Sequence, residues 1–181
     1  MPYSRATVVY DPKLLALCRK AYEGHPKGCP NWRKRVDCPP QAGMLPTLLD
    51  LGQPVFAVWN VFDLGAHIER MRGRHPGWSW RQLTCCLYWQ GTARKALKEE
   101  IQGFLQAQPY RTHWRILTCP EACGLNVTAM MKTLGHNLEW PPMTKTYQVA
   151  LAGEPKDYNS QSQHCSFGLK SDQGSVLDLL D

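Results

Sequence analysis

The feature that most constrains this 181-residue chain is a cysteine- and proline-rich stretch at residues 18–40, which reads CRKAYEGHPKGCPNWRKRVDCPP. It contains Cys18, Cys29 and Cys38, with ten and then eight residues between them, and proline directly follows Cys29 and Cys38. Proline fixes φ and removes a backbone donor, so regular secondary structure is disfavoured here. Long irregular loops are uncommon unless they are functional or disordered, and thiolates that converge on a metal would order one. We therefore predict a metal-binding loop at residues 24–46.

The cysteine content favours metal binding over disulfides. The chain has eight cysteines, and clustered cysteines in a reducing compartment more often bind metal, whereas a secreted domain would pair them. The first residues, Met-Pro-Tyr-Ser-Arg, are not apolar and do not resemble a signal peptide. No apolar run approaches the length that crosses a bilayer. We therefore expect a cytoplasmic protein with no membrane partner.

The basic charge is unevenly distributed. The formal net charge is +6, and one basic group, Arg33, Lys34 and Arg35, lies inside the cysteine loop. A second group flanks the central helices: Arg70, Arg72, Arg74 and Arg81. A third candidate, Arg94 and Lys95, follows Gly-Thr at a predicted helix start, where backbone N–H groups can bind anions. These groups indicate binding of a nucleotide or nucleic acid, an ordinary solvated surface, or compensation of thiolate charge.

The hydrophobic pattern predicts an α/β fold, a single layered domain with a small sheet flanked by helices and a long Cys/Pro-rich metal-binding loop. Apolar or β-branched runs predict strands, and period-3.6 patterns with capping residues predict helices. The expected strands are 7–10, 54–62, 114–118 and 147–151, and the expected helices are 12–22, 63–72, 80–89, 91–107 and 125–134. The domain is predicted to cover residues 1–153, and 154–181 to form a polar C-terminal extension packing on it.

The cysteines differ in their expected roles. Cys29 and Cys38 are the firmest metal ligands, and we predict Cys123 as the third because it follows a strand and precedes a helix, where thiolates are favoured. Cys18 is predicted as the fourth, although a small core residue fits it equally well, and Cys119 is the alternative ligand. Cys85 and Cys86 point apart on a predicted helix, so they are less suited to a shared centre and core packing is favoured for at least one of them. His25 is a zinc ligand or an exposed loop residue. Cys165 is unassigned.

Two segments carry a resemblance to a known family. The loop CPNWRKRVDCPP and the segment PEACGLNVTAMMKTLGHNLEWPP, together about a quarter of the chain, resemble the marked segments of a family of predicted metal-binding proteins of unknown function with a Cys-Pro-Pro signature. The resemblance implies an iron–sulfur protein, with Cys29, Cys38 and more weakly Cys123 as ligands. Longer members carry a compact ferredoxin-like group of cysteines between these segments, whose spacing Cys85 and Cys86 do not reproduce. One cluster is therefore expected rather than two.

The expected cofactor is a four-iron four-sulfur (4Fe-4S) cluster, which four thiolates usually hold; zinc is the alternative. The compact CxxC pairs typical of zinc modules are absent. Three functions follow. The first is an enzyme that uses an open cluster iron on a small or nucleotide-like substrate, with Glu121 as acid/base or merely a solvated turn residue. The second is a non-catalytic protein that passes electrons to, or assembles with, a redox partner. The third is a zinc-stabilised nucleic-acid-binding module.

Overall fold

The computed structural model describes residues 2–21, 26–108 and 113–156. Its centre is a four-stranded antiparallel sheet in the order β1-β2-β4-β3. The strands are β1 (Tyr3–Arg5), β2 (Phe56–Asp63), β3 (Arg115–Leu117) and β4 (Lys145–Gly153). The mixed α/β class predicted from the sequence is confirmed.

Five α-helices and three 3-10 helices are described around this sheet. The α-helices are α1 (Leu45–Leu48), α2 (Leu64–Arg74), α3 (Trp80–Leu83), α4 (Gln90–Gln106) and α5 (Val127–Thr133). The 3-10 helices are Pro12–Arg19, Cys86–Tyr88 and Pro120–Cys123. Among the described residues, no helix is long and apolar enough to span a membrane.

The sheet separates two apolar layers because successive strand residues point to opposite faces. Ala57 and Trp59 of β2 pack with α1 and α5 in the largest core cluster. Val58, between them, packs on the other side with Phe104 of α4 and with Trp114. The predicted burial of β2 on both faces is correct for its first half and wrong for its end, where Val61 is half exposed.

Local capping explains why two helices begin where the sequence predicts. The Asp63 carboxylate accepts a hydrogen bond from the Ala66 N–H at 2.7 Å, which starts α2. Ser79 forms a reciprocal capping box with Gln82 at the start of α3. The long amphipathic helix predicted at 91–107 is also confirmed, as α4.

The helix predicted at 80–89 is wrong beyond Leu83. The Thr84 hydroxyl donates to the Trp80 carbonyl at 3.0 Å, and the Trp89 indole N–H donates to the Thr84 carbonyl at 3.2 Å. The Thr84 carbonyl is therefore bonded to a side chain where a continuing helix would use a backbone N–H. Cys85 becomes extended and half-buried, and Cys86 is exposed.

The N-terminal prediction also needs correction. The first strand is Tyr3–Arg5, whereas residues 7–10 contribute only an isolated bridge from Tyr10 to Leu125. The segment predicted as a helix at 12–22 is a 3-10 helix that ends at Arg19, and Leu17, expected on its apolar face, is exposed. The start of the predicted C-terminal extension is described only to residue 156, where Pro155 bridges to Leu49. His25, Cys165 and the rest of that extension lie outside the described residues.

Candidate metal centre

Three chain segments meet beyond the C-terminal end of β3. They are the 3-10 helix Pro12–Arg19, the loop at 26–44 and the turn Pro120–Cys123. Two backbone hydrogen bonds of 2.8 Å join the first to the third, from Asp11 N–H to the Gly124 carbonyl and from Asn126 N–H to the Val9 carbonyl. Cysteines far apart in the sequence are thereby brought to one region.

Gly124 makes this junction possible. Its φ of 88° lies in the left-handed region, and a Cβ added to it would lie 2.9 Å from Cε2 of Tyr10. A side chain here would therefore force the turn away from the N-terminal segment.

A second glycine joins Cys18 to Cys29. Gly28 is buried with φ at 81°, and an added Cβ would lie 2.7 Å from the Cys18 carbonyl oxygen. The next residue, Cys29, donates its backbone N–H to that same carbonyl at 2.8 Å. The loop backbone can approach the 3-10 helix this closely only because Gly28 lacks a side chain.

The loop around Cys38 is held by its own hydrogen bonds. The Cys38 N–H donates to the Arg35 carbonyl at 3.1 Å, and the Ala42 N–H donates to the Cys38 carbonyl at 3.0 Å. Arg33 has a φ of 61°, unusual for a residue with a side chain, and its N–H donates to the Pro39 carbonyl at 3.0 Å. Over its described residues the stretch is a series of turns, as the sequence predicts.

Asp37 connects this loop to Cys119. The Cys119 thiol donates to Oδ2 of Asp37 at 3.8 Å, across 82 residues of sequence. Arg35 holds the same carboxylate through Nε and Nη2, at 2.9 and 2.8 Å. A paired fork of this kind fixes the carboxylate in space. Asp37 therefore acts as a bridge between a cation and a cysteine.

The charges of two other cysteines, Cys29 and Cys18, act on the thiol of Cys38. Burial raises its pKa, the Asp37 charge adds to this, Arg35 opposes it, and Cys29 and Cys18 raise it further. Burial likewise raises the pKa of Cys18, with contributions from Cys29 and from Glu121. The backbone hydrogen bond of 2.8 Å from Cys29 to Cys18 shows that these two predicted ligands are neighbours. The effect of their charges on the pKa of Cys38 indicates that the Cys38 loop lies in the same region.

Cys119, the alternative ligand, is the fourth member of this group. Burial raises its pKa to about 12, assisted by the charges of Glu121, Asp37 and Cys38. We call these four residues the cysteine cluster: Cys18, Cys29, Cys38 and Cys119. All four are half-buried, so each is shielded from bulk water while keeping some access.

Glu121 lies beside the cysteine cluster, since its charge raises the pKa of both Cys18 and Cys119. The residue as a whole is exposed; desolvation raises the pKa of its carboxyl group, and a backbone hydrogen bond and the charge of Arg94 oppose the shift. Arg94 also favours the anionic form of Cys119. Sequence reasoning placed Arg94 in a separate phosphate site, because nothing local indicates that α4 reaches the Cys119 turn.

Cys123, predicted as the third ligand, has different surroundings. Its side chain is 2% exposed and belongs to the apolar core with Leu117, Leu125 and Met130. It also lines a cavity of about 20 Å³, together with Asp37 and Cys119. That volume is about the size of one water molecule. Its predicted role as a ligand is not tested by the structure, and because its surroundings are those of a structural core cysteine, the proposal below uses Cys119 in its place.

The predicted phosphate-binding residues fall into two groups. Arg33 and Lys34 are exposed on the loop, and Lys95 is exposed on α4. Arg35 instead pairs with Asp37 at 2.8 Å, and the charge of Arg94 lowers the pKa of Cys119 and Glu121. Both arginines therefore favour compensation of negative charge, one of the alternatives that the sequence leaves open.

A larger groove of about 360 Å³ lies between the 5–10 and 51–55 segments. Its lining contains Arg5 and Tyr10 but no cysteine, histidine or carboxylate, so it does not offer the ligands of the predicted metal centre.

Within the described ranges, no group of three or more His, Cys, Asp or Glu side chains is arranged to hold a metal ion as it stands. The cysteine cluster is thus a convergence of thiols rather than a closed coordination shell. Comparison of the chain with protein-family models, with curated proteins and with solved structures found no match. The family resemblance of the two cysteine segments therefore stays a prediction.

Proposed function

We propose that this protein binds an iron–sulfur cluster, or alternatively zinc, through Cys18, Cys29, Cys38 and Cys119. The observation that supports it is the approach of distant segments: the Cys29 N–H donates to the Cys18 carbonyl at 2.8 Å, and the Cys119 thiol donates to Asp37, the neighbour of Cys38, at 3.8 Å. Four converging thiols suit a 4Fe-4S cluster or a tetrahedral zinc site. Within the described residues, three of the four cysteines belong to segments made of turns or 3-10 helix, which can adjust to close on a metal.

The charges around the cysteine cluster support a cationic occupant. Asp37 and Glu121 add two carboxylates to four thiols, and Arg35 and Arg94 face them. A group of acids packed together resists ionisation, whereas a bound cation makes the thiolate forms favourable. A bound metal would therefore stabilise the ionised thiolates more than the two arginines alone do. The thiol chemistry also suits a reducing compartment, and we extend the proposal to a cytoplasmic location.

Glu121 gives the site a candidate reactive group. In the enzyme version of the proposal, three of the four cysteines hold the cluster and one iron stays open to substrate, by the same logic that separates catalytic from structural zinc. Glu121, close to Cys18 and Cys119, would be the acid/base beside that position. The exposed cations Arg33, Lys34 and Lys95 suit a substrate that carries phosphate. The alternative is an electron-transfer or assembly protein, in which Glu121 has no chemical role.

The test of the proposed cofactor is purification without oxygen followed by analysis of iron, sulfide and zinc together with a visible spectrum. Iron and sulfide in equal amounts, with broad visible absorption, support the cluster. Stoichiometric zinc and no visible absorption support the zinc alternative. A protein that holds neither, even after reconstitution with iron and sulfide or with zinc, contradicts the proposal.

The phosphate proposal is tested separately. The double variant Arg33→Gln/Lys34→Gln keeps Arg35, which the Asp37 pair requires. It should weaken nucleotide binding and flatten its salt dependence without changing metal content. The matched control Lys132→Gln/Lys145→Gln removes the same charge elsewhere on the exposed surface. If the wild type shows no salt-sensitive binding of nucleotides, the loop cations are not a phosphate site.

A further inference from the structure

A second surface, independent of the cysteine cluster, combines exposed aromatic rings with unpaired positive charge. It is formed by α2, α3 and the 3-10 helix Cys86–Tyr88. Residues 64–98 contain seven lysines and arginines but one carboxylate, Glu69. We call this surface the basic aromatic face, defined by its rings and its arginines: His75, Trp78, Trp80, Tyr88, Arg70, Arg74 and Arg81.

Three of the four rings of this face form a short stack, and the fourth, Trp80, lies two residues after Trp78 at the start of α3. His75 lies parallel to Trp78, with centroids 4.1 Å apart and an interplanar angle of 8°. Tyr88 lies on Trp78 at 4.7 Å with a tilt of 34°. Trp78 itself packs against the buried cluster that contains Leu64, so the stack has a fixed base. The outer rings are therefore held in place while they remain open to solvent.

The exposure of these rings is unusual for a folded domain. Tyr88 is 50% exposed and Trp80 is 48% exposed, although aromatic side chains gain much from burial. The only aliphatic side chain of comparable size beside them among the described residues of this segment is Leu87. Flat rings dominate the surface, which suits a ligand that presents flat faces of its own.

The arginines supply the charge. Arg70 and Arg74 lie four residues apart on α2 and so share one side of that helix, while Arg81 follows Trp80 on α3. Among the described residues, no carboxylate lies within ion-pair distance of these three. Glu69 is already paired, with Arg72 at 2.6 Å. The positive charge is therefore available to an external anion.

We propose that the basic aromatic face binds single-stranded nucleic acid. Unpaired bases would stack on Trp80, Tyr88 and His75, and the backbone phosphates would pair with Arg70, Arg74 and Arg81. Stacking platforms combined with cationic side chains are what single-strand binding requires. Duplexes fit less well because their bases are already stacked and their faces are closed. This inference depends on neither the metal nor its ligands.

The experiment measures binding of the full chain to fluorescein-labelled oligo(dT) of about 15 nucleotides, a length that spans one site. Trp80→Ala and Tyr88→Ala should each weaken binding about 5-fold or more, whereas Trp80→Phe should retain most of it because a ring remains. Arg70→Gln/Arg74→Gln should weaken binding and lower the salt slope by about 1.4, from about 0.7 for each single-strand phosphate contact. The matched control Lys132→Gln/Lys145→Gln should change neither quantity appreciably.

The outcomes separate this proposal from its rivals. Loss of stacking affinity in the alanine variants, with folding and metal content unchanged, supports it. Equal or tighter binding to duplex DNA of the same length overturns it, because exposed rings would then contribute nothing. Failure to bind oligo(dT) or the corresponding RNA while binding phosphatidylserine vesicles also overturns it, and would assign the face to a membrane surface.

Discussion

The backbone N–H of Cys29 donates a hydrogen bond to the carbonyl of Cys18 at 2.8 Å, and the residue between them in this contact, Gly28, leaves no room for a side chain. A residue with a Cβ at that φ also adopts a strained conformation, at a cost of about 1–3 kcal/mol. The approach of the first two cysteines thus depends on one glycine.

Gly28→Ala should therefore lower the free energy of unfolding by about 1–3 kcal/mol and reduce metal content, because Cys29 can no longer lie against Cys18. Denaturant unfolding and metal analysis measure the two effects. Gly73→Ala is the matched control, since Gly73 lies inside α2 with no atom within 4 Å of an added Cβ. It should raise stability by about 0.5–1 kcal/mol and leave the metal unchanged. Full metal content in Gly28→Ala would contradict the claim that metal binding requires this close approach of Cys29 to Cys18.

His67 predicts a pH dependence of stability. It is 5% exposed on α2, and burial, together with Arg70, lowers its pKa below the ordinary 6.5. The folded state therefore favours the neutral imidazole, and the unfolded chain binds a proton more readily. Stability from this residue is complete above the unfolded pKa and falls as the pH drops from about 6.5 towards the lower folded pKa.

His67→Gln should accordingly flatten the fall in unfolding free energy between about pH 7 and pH 5, as measured by urea denaturation. Gly73→Ala, on the same helix and with no titrating group, provides the control and should retain the wild-type slope. A slope that is unchanged in His67→Gln would show that other groups control acid sensitivity.

Glu139 should stabilise the segment before β4 through its charge. Its carboxylate accepts hydrogen bonds from the Met143 N–H at 3.0 Å and the Thr144 N–H at 2.9 Å, and also from the Thr144 hydroxyl. The bonds to Thr144 are the main cause that lowers its pKa to about 2. The contribution of ionised Glu139 to the free energy of unfolding is present above the ordinary carboxyl pKa, and it is lost as the pH falls towards 2.

Glu139→Gln should thus be less stable than the wild type near neutral pH, and the difference should narrow under acid conditions. Thermal unfolding at several pH values measures it. Glu69→Gln, which removes an exposed surface pair, should have little effect. A Glu139→Gln variant as stable as the wild type at neutral pH would contradict the assignment.

Sequence reasoning succeeded where structure is decided locally. Asp63 and Ser79 begin helices through hydrogen bonds to residues three positions away, which a capping pattern captures. It failed where distant groups decide. The helix expected through Cys85 ends because the Trp89 indole binds the Thr84 carbonyl, and the first strand is Tyr3–Arg5 because those residues pair with Phe56–Val58.

The candidate site shows the same division. Spacing and prolines pointed to Cys18, Cys29 and Cys38, of which the first two are joined by a backbone hydrogen bond. Cys123 packs in the core and Cys119 lies beside Asp37. Which of the two faces the core depends on the orientation of a short 3-10 helix, and sequence spacing does not determine that orientation. The bridging role of Asp37 was not predicted from the sequence. Its pair with Arg35 is local, but its second partner, Cys119, is 82 residues away.

Metal binding by the cysteine cluster is tested most directly by the metal content of single cysteine variants purified without oxygen. Cys119→Ser is compared with Cys123→Ser and with the exposed control Cys86→Ser. Cys119→Ser should lose most of its metal, as should Cys18→Ser, Cys29→Ser and Cys38→Ser, because each removes a thiolate ligand. Cys86→Ser should match the wild type, and Cys123→Ser should lose stability but keep its metal when folded. Metal retained in Cys119→Ser but lost from folded Cys123→Ser would contradict the proposed cysteine cluster. Metal retained in every variant except the control, that is at Cys18, Cys29, Cys38, Cys119 and Cys123 alike, would contradict a thiolate centre altogether.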